Sequence, residues 1–443
     1  MKKLLPIILT VVLCVTAILF APSCTFNPKE YDRYVESEMK ESFDFFWNEA
    51  VTNNETTYGL IPDRYPTVNG NASIASVGFG LTAYVIGAEK GYVTREQAHE
   101  RSLKTLQTLR RLQNTEDVTW NGFFAHFIDM NNGRRRDNCE ISTVDTAILL
   151  CGALSAGEYF GGEVETLANE VYSAVNWNSM LKTRGSKTYV SMAYNVEQQK
   201  VSDVIWDWYA EQLMLYVLGA GSPVEDYRLD DKTYYDFTRK TGSYGTHKFI
   251  YSWFGSIFTY QFSHAWIDFS DITDKNGVNW FENSVQASLA AYEYCQDNAN
   301  NYKAFAQGGW GLTACDTPRG YSGKLGNPPR GWSSSEDANY NKIEGTVAPC
   351  GAIGSVVFTP EQSLKALKLY RTDKLLSRCI VDKYGLKDAY NLDSEWFAED
   401  YIGIDKGITL LMLANYQNRA VWNVMMDNEY IQNGLNVLQF TSK

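Results

Sequence analysis

Apolar residues recur at helical spacing through most of this chain and predict about a dozen helices. Thr94 and Thr359 each precede a glutamine by three residues, as in a helix-capping box, and Pro360 occupies a favoured first helical position. The predicted helices cover residues 31–51, 74–90, 94–113, 142–160, 164–175, 203–218, 281–296, 343–357, 373–383, 404–416 and 420–430, and one more starts at 360. Alternating, strand-like patterns are confined to short stretches such as 122–130 and 188–194.

Helices of similar length joined by unequal loops are typical of a bundle, a solenoid or a double ring. No fixed repeat of solenoid length recurs in the sequence, which favours the ring. We therefore predict an all-α fold, an (α/α)6 toroid of about twelve helices with short β hairpins and long loops at one mouth. The loops rich in Gly, Trp and Asp, residues 122–140, 260–274 and 308–337, are expected to carry the polar chemistry.

The N-terminus predicts export and lipid attachment. Two lysines precede an apolar run, Leu4 to Phe20, which is short for a membrane span and ends just before Ala21-Pro22-Ser23-Cys24. We predict a signal peptide over residues 1–23, lipidation of Cys24 and a polar tether over 24–29, although Pro22 is unusual before such a cysteine. An ordinary signal peptide or an uncleaved anchor is the alternative. The expected location is the envelope of a Gram-negative bacterium, in the periplasm or on the outer-membrane surface.

Composition narrows the possible ligands of the remaining residues, 30–443, which no Pro-rich, Ser-rich or charged linker divides into separate domains. The net charge of −12 disfavours nucleic acid and other polyanions. The aromatic content of 14% suits stacking on neutral sugar rings, although aromatic residues also pack helices. The cysteines form no C-x-x-C pair and the four histidines are scattered, so we predict neither a metal site nor a cofactor.

A group of acidic residues leads into the predicted helix at 142. Asp129, Asp137, Glu140 and Asp145 lie on or near its N-terminus, where negative charge is favourable in any case. Ser142 and Asp145 have the spacing of a capping box, which gives Asp145 a structural alternative to catalysis. Glu140 lies before the cap and is the better candidate for chemistry.

Glu211 is the second candidate because apolar residues surround it in the predicted helix 203–218. A buried carboxyl group has a raised pKa and suits a general acid, although a core glutamate satisfied by an indole or an arginine would look the same. Glycoside hydrolysis needs two such acids, about 5 Å apart for retention and roughly 6.5–9.5 Å apart for inversion.

Seven motifs in this chain occur in an order that resembles the glucoamylase-like domain family that includes glycoside hydrolase family 144, the bacterial β-1,2-glucanases. They are Gly59 to Arg64, Ser76 to Ala83, Gly122 to Met130, Glu140 to Ala147, Ser263 to Asp268, Trp310 to Ala314 and Gly345 to Pro349. The resemblance implies an (α/α)6 toroid and metal-independent, inverting hydrolysis of β-1,2-linked glucose. It also places Glu140 and Glu211 in the cleft, with Asp137 nearby.

We therefore predict a β-glucan hydrolase, expected to be a monomer, that touches the membrane only through its lipid. The predicted catalytic residues are Glu140, Glu211, Asp137 and Asp145. The predicted substrate contacts are Arg64, Phe123, His126, Asp129, Trp206, Tyr260, His264, Trp266, Asp268 and Trp310. Three alternatives remain open: a glycan-binding lipoprotein without catalysis, a glucoamylase-like enzyme for another linkage, and a polysaccharide lyase with a Tyr or His base such as His264.

Overall fold

The computed structural model describes residues 26–67, 69–252, 255–323, 325–326 and 343–443, and these residues are predominantly helical. The predicted signal peptide, Cys24 and part of the loop 308–337 lie outside them. The helices are α1 Asp32–Glu49, α2 Ile74–Glu89, α3 Arg95–Leu112, α4 Thr143–Phe160, α5 Gly162–Ser173, α6 Leu213–Gly221, α7 Asp231–Asp236, α8 Phe262–Trp266, α9 Trp280–Asp297, α10 Lys303–Ala306, α11 Pro349–Ile353, α12 Pro360–Thr372, α13 Leu376–Cys379, α14 Gly403–Asn418, α15 Ala420–Met425 and α16 Glu429–Val437. Short 3₁₀ turns lie at Pro28–Tyr31, Trp177–Met180, Glu225–Tyr227 and Ile257–Tyr260.

The helices alternate along the chain between an outer and an inner layer. The inner helices are α2, α4, α6, α8, α11 and α14, and each outer helix, α1, α3, α5, α7, α9 and α12, precedes the inner helix of its pair. Within the inner layer, α4 packs between α2 and α6, and α14 packs between α2 and α11. The C-terminal helix α16 adds a second outer contact to α6. This arrangement is the predicted (α/α)6 toroid.

The inner helices are buried on all sides, whereas the outer helices are buried on one side. Residues 74–87 of α2 and all of α6 are buried, whereas α3 and α12 bury a single face. A helix that is apolar on all sides must be covered on all sides, and an amphipathic helix needs only one covered face. The sequence pattern of each helix therefore determines its layer.

The inner helices α2 and α4 approach each other closely at two glycines. A Cβ atom on Gly152 would lie 2.0 Å from the carbonyl oxygen of Gly78, and a Cβ atom on Gly78 would lie 2.4 Å from the carbonyl oxygen of Ile148. Such distances are well inside atomic contact, so only glycine permits this crossing.

A buried charge cluster connects the outer helix α1 to the rest of the ring. Glu38 lies 2.7 Å from the Lys406 ammonium group and 2.5 Å from the Arg371 guanidinium group, and it accepts a backbone hydrogen bond from Leu386. Burial raises the pKa of Glu38, but the two cations outweigh burial and hold the pKa below its ordinary value. The carboxylate therefore stays ionised and bridges α1, α12 and α14.

The strands are short and pair antiparallel in the loops between helices. Strand 123–124 of the predicted stretch 122–130 pairs with Thr119–Trp120, and strand 127–129 pairs with Asn71–Ser73. Strand 193–195 lies between Ile141–Ser142 and Lys200–Val201. The other pairs are Arg64–Tyr65 with Tyr401–Ile402, Leu181–Arg184 with Lys187–Val190, Thr241–Tyr244 with His247–Ile250, Ile272–Thr273 with Thr441–Ser442, Cys315–Thr317 with Gly320–Ser322, Val381–Asp382 with Gly385–Leu386, and Tyr390–Asn391 with both Thr346–Val347 and Trp396–Phe397.

Two predicted helices are replaced over much of their length by segments whose backbone bonds to other parts of the chain. The prediction over 203–218 is wrong for its first half, because the backbone N–H groups of Trp206 and Tyr209 bond to the carbonyl groups of Val190 and Thr238 on neighbouring segments. The prediction over 343–357 holds only for α11, since residues 346–347 pair with a strand. Tertiary hydrogen bonds override the local apolar pattern in both places.

Smaller corrections concern helix ends. Thr94 and Gln97 form the predicted capping box, but Thr359 makes no cap hydrogen bond and its hydroxyl group donates to the carbonyl oxygen of Ser355. Only Leu376–Cys379 of the predicted helix 373–383 is helical. The predicted helix 420–430 divides into α15 and α16, because Asn428 caps a new helix.

None of the helices among residues 26–67, 69–252, 255–323 and 343–443 combines the length and apolar character needed to cross a membrane.

Candidate active site

Ionisable side chains gather where inner helices begin. Asp145 and Asp405 are each the third residue of an inner helix, α4 and α14, and Glu211 lies in the turn just before α6. The carbonyl oxygen of His126 accepts the N–H of Ile74, the first residue of α2. Backbone N–H groups at helix starts are unpaired within the helix and favour negative charge, so this mouth of the ring suits a group of acids.

His126 joins two of the predicted catalytic acids. Its Nδ1 lies 2.9 Å from Oε1 of Glu140, and its Nε2 lies 3.7 Å from Oδ1 of Asp145. The imidazole ring stacks on Phe127 with 3.9 Å between ring centroids, and the N–H of His126 donates to the carbonyl oxygen of Glu140. These contacts fix the ring between the two carboxylates.

The charges of this group favour an ionised Glu140. Burial lowers the pKa of His126, but the carboxylates of Asp145 and Glu140 outweigh burial and raise the pKa to about 9. The hydrogen bond from the resulting imidazolium holds the pKa of Glu140 below its ordinary value, against the opposing effect of burial. Glu140 is therefore a carboxylate at neutral pH, as a general base must be.

Glu211 lies in a tight turn rather than in the middle of a helix, which corrects its predicted setting. The Gln212 side chain closes the turn by accepting the N–H of Ala210 and donating to the carbonyl oxygen of Trp208. Ser263 on α8 donates its hydroxyl group to the carbonyl oxygen of Glu211. The turn is thus closed by its own side chain and tied to α8.

The environment of Glu211 disfavours its charge. Burial raises its pKa to about 7; a backbone hydrogen bond opposes this effect, and the negative charge of Asp145 adds to it. The residue as a whole is half-buried. The site therefore has one carboxyl group that holds its proton near neutral pH and one that does not, and Asp145 acts on both His126 and Glu211.

The predicted substrate contact Arg64 lies among three aspartates that are not among the predicted site residues. Arg64 Nη1 is 2.8 Å from Asp400 and 3.0 Å from Asp316, and Arg64 Nε is 3.7 Å from Asp63. Burial raises the pKa of Asp63 despite the arginine. Asp63 adjoins Arg64 in the chain, but Asp316 is 252 residues away, so sequence spacing gives no sign of that pair.

Two further buried acids lie beneath this cluster. Asp388 accepts the N–H of Asp316 at 2.7 Å, and its own pKa is raised far above the ordinary value by burial and by the neighbouring Asp405. Burial also raises the pKa of Asp405 to about 6. The position of Asp405 in the first turn of an apolar helix, like that of Asp145, is the signal that could have identified it.

Trp206 lines a cavity of about 570 Å³ together with Glu211, Met192, Val204 and Trp208. Its indole N–H donates to the Thr143 hydroxyl group at 3.2 Å, which fixes the ring. Of the predicted substrate contacts, Arg64, His126 and Trp206 therefore lie at this mouth.

Two predicted catalytic acids have other partners. Ser142 caps α4 by accepting the N–H of Asp145, and its hydroxyl group donates to the Asp145 carboxylate, so Asp145 has the predicted structural role in addition to its contact with His126. Asp137 is largely exposed and accepts a hydrogen bond from Asn71 at 3.3 Å. This contact joins Asp137 to the strand 71–73.

Most of the other predicted substrate contacts belong to the core. Their side chains are buried and therefore do not face a substrate. Phe123, Trp266 and Trp310 are fully buried, and Tyr260 is 2% exposed. The indole N–H of Trp266 donates to Thr82, and the Tyr260 hydroxyl group accepts the N–H of Ser252. The predicted loop 260–274 contains the inner helix α8, which explains the burial of Trp266.

The remaining three are also structural. His264 is buried among aromatic rings with its Nε2 on Ser284, and burial lowers its pKa to about 3, so it is not placed as the base of a lyase. Asp129 accepts the N–H groups of Asn131 and Asn132 and pairs with Arg136. Asp268 accepts the N–H of Ser270 and pairs with Arg419.

The chain is similar in sequence to an exo β-1,2-glucooligosaccharide sophorohydrolase (non-reducing end) from Parabacteroides distasonis. The two are 26% identical over 452 residues, which cover 94% of this chain and 59% of that protein. This chain thus spans about three fifths of the length of its curated relative.

Solved structures share the fold. A protein from Bacteroides uniformis described as a "putative glucoamylase" has a TM-score of 0.81 at 28% identity, covering 93% of this chain and 98% of that one. An endo-β-1,2-glucanase from Chitinophaga pinensis, in complex with sophorotriose and glucose, has a TM-score of 0.80 at 24% identity, covering 93% and 99%. The model of the family described as "Putative glucoamylase" matches residues 203–429, just over half of the chain, and this protein therefore belongs to that family.

Proposed function

We propose that this protein is a glycoside hydrolase that cleaves β-linked glucan, with β-1,2-glucan as its substrate. The observation that carries the proposal is the pair of carboxyl groups at one mouth of the ring. Burial raises the pKa of Glu211 to about 7, whereas the His126 imidazolium keeps Glu140 ionised. Two acids with separated pKa values are what hydrolysis of a glycosidic bond requires.

In the proposed reaction Glu211 is the general acid and Glu140 the general base. Glu211 donates its proton to the glycosidic oxygen as the bond from that oxygen to the anomeric carbon breaks. Glu140 takes a proton from a water molecule whose oxygen forms the new bond to the same carbon from the opposite face. The product sugar has an inverted anomeric centre, and proton exchange with solvent returns both acids to their starting states.

The proposed β-1,2 linkage is based on the names of two similar proteins. The Parabacteroides distasonis relative is named for exo action on β-1,2-glucooligosaccharides, and the Chitinophaga pinensis structure is named for endo action on β-1,2-glucan. The shared element in both names is the β-1,2 bond. We therefore propose β-1,2 specificity and use the size of the products to separate exo from endo action.

We propose that the enzyme lies in the cell envelope. The apolar N-terminal run and Cys24 support cleavage after residue 23 and a lipid anchor on the periplasmic side or the outer-membrane surface. Globomycin treatment of expressing cells, followed by mass spectrometry of the N-terminus, tests this step. An unmodified Cys24 in the mature protein would contradict it.

The activity test compares linear β-1,2-glucan with β-1,3- and α-1,4-glucan, with reducing ends measured over time and the product anomer followed by NMR. We expect release from β-1,2-glucan with inversion. Glu211→Gln and Glu140→Gln should each lower the rate by at least about 100-fold, the usual scale of acid–base catalysis. Glu100→Gln, on the exposed outer face of α3, is the matched control and should retain full activity.

The outcomes are distinct. Full activity of either site variant removes that residue from the mechanism, and release from α-1,4-glucan alone changes the linkage. Binding of glucan without release of reducing ends would instead indicate a glycan-binding protein.

A further inference from the structure

The first described residues are packed on the body of the ring. The Phe26 ring lies with its centroid 5.7 Å from that of Tyr31, and residues 28–31 form a 3₁₀ turn that leads directly into α1. In the sequence, Thr25 alone separates Phe26 from Cys24. Two residues span at most about 7 Å, so a lipid on Cys24 would hold the start of α1 close to a membrane surface.

The start of α1 lies at the end of the ring opposite the mouth. The inner helices begin at the mouth, and each outer helix precedes its inner partner, so the outer helices begin at the other end. Lys90, just after α2, lies 2.7 Å from Glu36 near the start of α1 and 2.9 Å from Gln417 near the end of α14. The starts of α1 and α3 and the ends of α2, α4 and α14 thus form one surface, the far face.

The other end of α1 lies beside the mouth. Glu49, the last residue of α1, is 3.1 Å from Lys383, whose ammonium group also donates to the hydroxyl group of Tyr65 at 3.4 Å. Tyr65 adjoins Arg64 of the candidate site. Helix α1 has 18 residues. At a rise of 1.5 Å per residue it separates the far face from the mouth by about 27 Å.

The far face presents side chains that suit the boundary between lipid and water. Arg95 at the start of α3 donates to the carbonyl oxygen of Tyr159 at 2.8 Å, and its guanidinium group lies 4.4 Å from the Tyr159 ring centre and 5.3 Å from that of Phe160. Both rings are half-buried at the end of α4. Tyrosine and arginine each combine an apolar body with a polar tip, which such a boundary accommodates.

Charge on the far face does not by itself attract a membrane. The exposed Lys29 adjoins the exposed Glu30, and the exposed Arg95 adjoins the exposed Glu96. Interspersed charges of both signs give little attraction to anionic lipid, which selects clusters of basic residues. Attachment therefore depends on the anchor, and the short link at the far face determines the orientation.

We propose that the far face rests on the lipid headgroups and that the mouth opens away from the membrane. This inference rests on the lipid anchor at Cys24, which is part of the proposed function. The depth of the ring then separates the catalytic acids from the bilayer. A glucan chain enters the cleft from the surrounding water without passing between the enzyme and the lipid.

The test uses the lipidated protein, purified from a Gram-negative host and reconstituted in phosphatidylcholine vesicles, with mass spectrometry of Cys24. An azide-bearing residue replaces Glu96 or Glu116 and carries a donor dye, and a headgroup-labelled lipid is the acceptor. These exposed glutamates are a matched pair, one in the first turn of α3 and the other four residues after its end. Because α3 spans about 27 Å, energy transfer from position 96 should exceed that from position 116 at least about twofold.

Two controls examine the anchor and the short link. The variant Cys24→Ser should stay in solution and show no energy transfer. Insertion of ten Gly and Ser residues between Thr25 and Phe26 adds a flexible link of about 18 Å on average, so it should lower transfer from position 96 and reduce the difference between the two positions.

The outcomes separate the orientation from the rest of the proposal. Equal transfer from both positions, or greater transfer from position 116, in protein that carries lipid on Cys24 would overturn the orientation. An unmodified Cys24 would overturn the anchor and this inference with it. Release of reducing ends from β-1,2-glucan is measured on the same vesicles: no release, together with greater transfer from position 96, would overturn the hydrolase and support the orientation.

Discussion

Glu211→Gln should make the protein more stable at alkaline pH, although it removes the proposed general acid. Glutamine has nearly the shape of glutamate but cannot ionise. In the native protein Glu211 lies in the turn 208–212 and borders a cavity together with the segment 203–207, and burial raises its pKa from the ordinary 4.5 to about 7. The wild-type protein must therefore ionise a poorly solvated group as the pH rises, and the variant avoids this cost.

The size of the effect follows from the pKa. Each tenfold change in proton affinity is worth about 1.4 kcal/mol, so a rise from 4.5 to about 7 corresponds to about 3 kcal/mol. Because the folded-state pKa is the higher one, this contribution to stability is fully present below pH 4.5 and is lost as the pH rises through 7. The free energy of unfolding of Glu211→Gln, relative to the wild type, should thus rise by about 3 kcal/mol between these limits.

Scanning calorimetry at pH 5 and pH 8.5 measures this difference as a change in the unfolding midpoint. For a folded region of about 420 residues, 3 kcal/mol corresponds to roughly 3 °C. Glu140→Gln is the contrasting variant. Its carboxylate is stabilised by His126, so its removal should lower the midpoint at neutral pH, and the loss should shrink as the pH falls below about 4.5. Equal midpoint differences for Glu211→Gln at both pH values would refute a buried, proton-retaining Glu211.

Three further outcomes are expected. The kcat/KM for β-1,2-glucan should fall as the pH rises through about 7, because Glu211 then loses the proton that it must donate; a rate that stays level to pH 9 would exclude Glu211 as the acid. Glu38→Ala should lower the free energy of unfolding by about 3–5 kcal/mol, because it leaves the charges of Lys406 and Arg371 unpaired; chemical denaturation measures this, and a loss below about 1 kcal/mol would contradict the role of the cluster. Gly152→Ala should cost about 1–3 kcal/mol, because its methyl group meets the Gly78 carbonyl group, whereas Gly323→Ala, with open space around it, should unfold at the wild-type midpoint.

The sequence by itself determined the layers of the ring. Helix α2 is apolar on all sides and α3 on one side only, and these local patterns already assign α2 to the inner layer and α3 to the outer one. The capping box at Thr94 and the acids before α4 were also readable, because a helix start depends on residues within three or four positions of each other. The residue pattern indicated Glu140 and Glu211 as candidate acids, and the family resemblance implied that both lie in the cleft.

Only the tertiary structure decided which side chains share the mouth. Phe123, Trp206, Trp266 and Trp310 are all aromatic residues in predicted site segments. Of these four, Trp206 borders the cavity beside Glu211, whereas the other three are buried in the core. Residues 203–212 have an apolar pattern that predicts helix, but their backbone bonds to distant strands and places Glu211 in a turn.

The electrostatics of the site likewise depend on contacts between distant segments. Arg64 and Asp316 are 252 residues apart, and His126 and Glu140 approach because Ala125 and Ile141 form an antiparallel bridge, not through helical spacing. The physical reason is that apolar periodicity acts over neighbouring residues, whereas the pKa of a carboxyl group depends on every charge and every void that the closed ring brings near it.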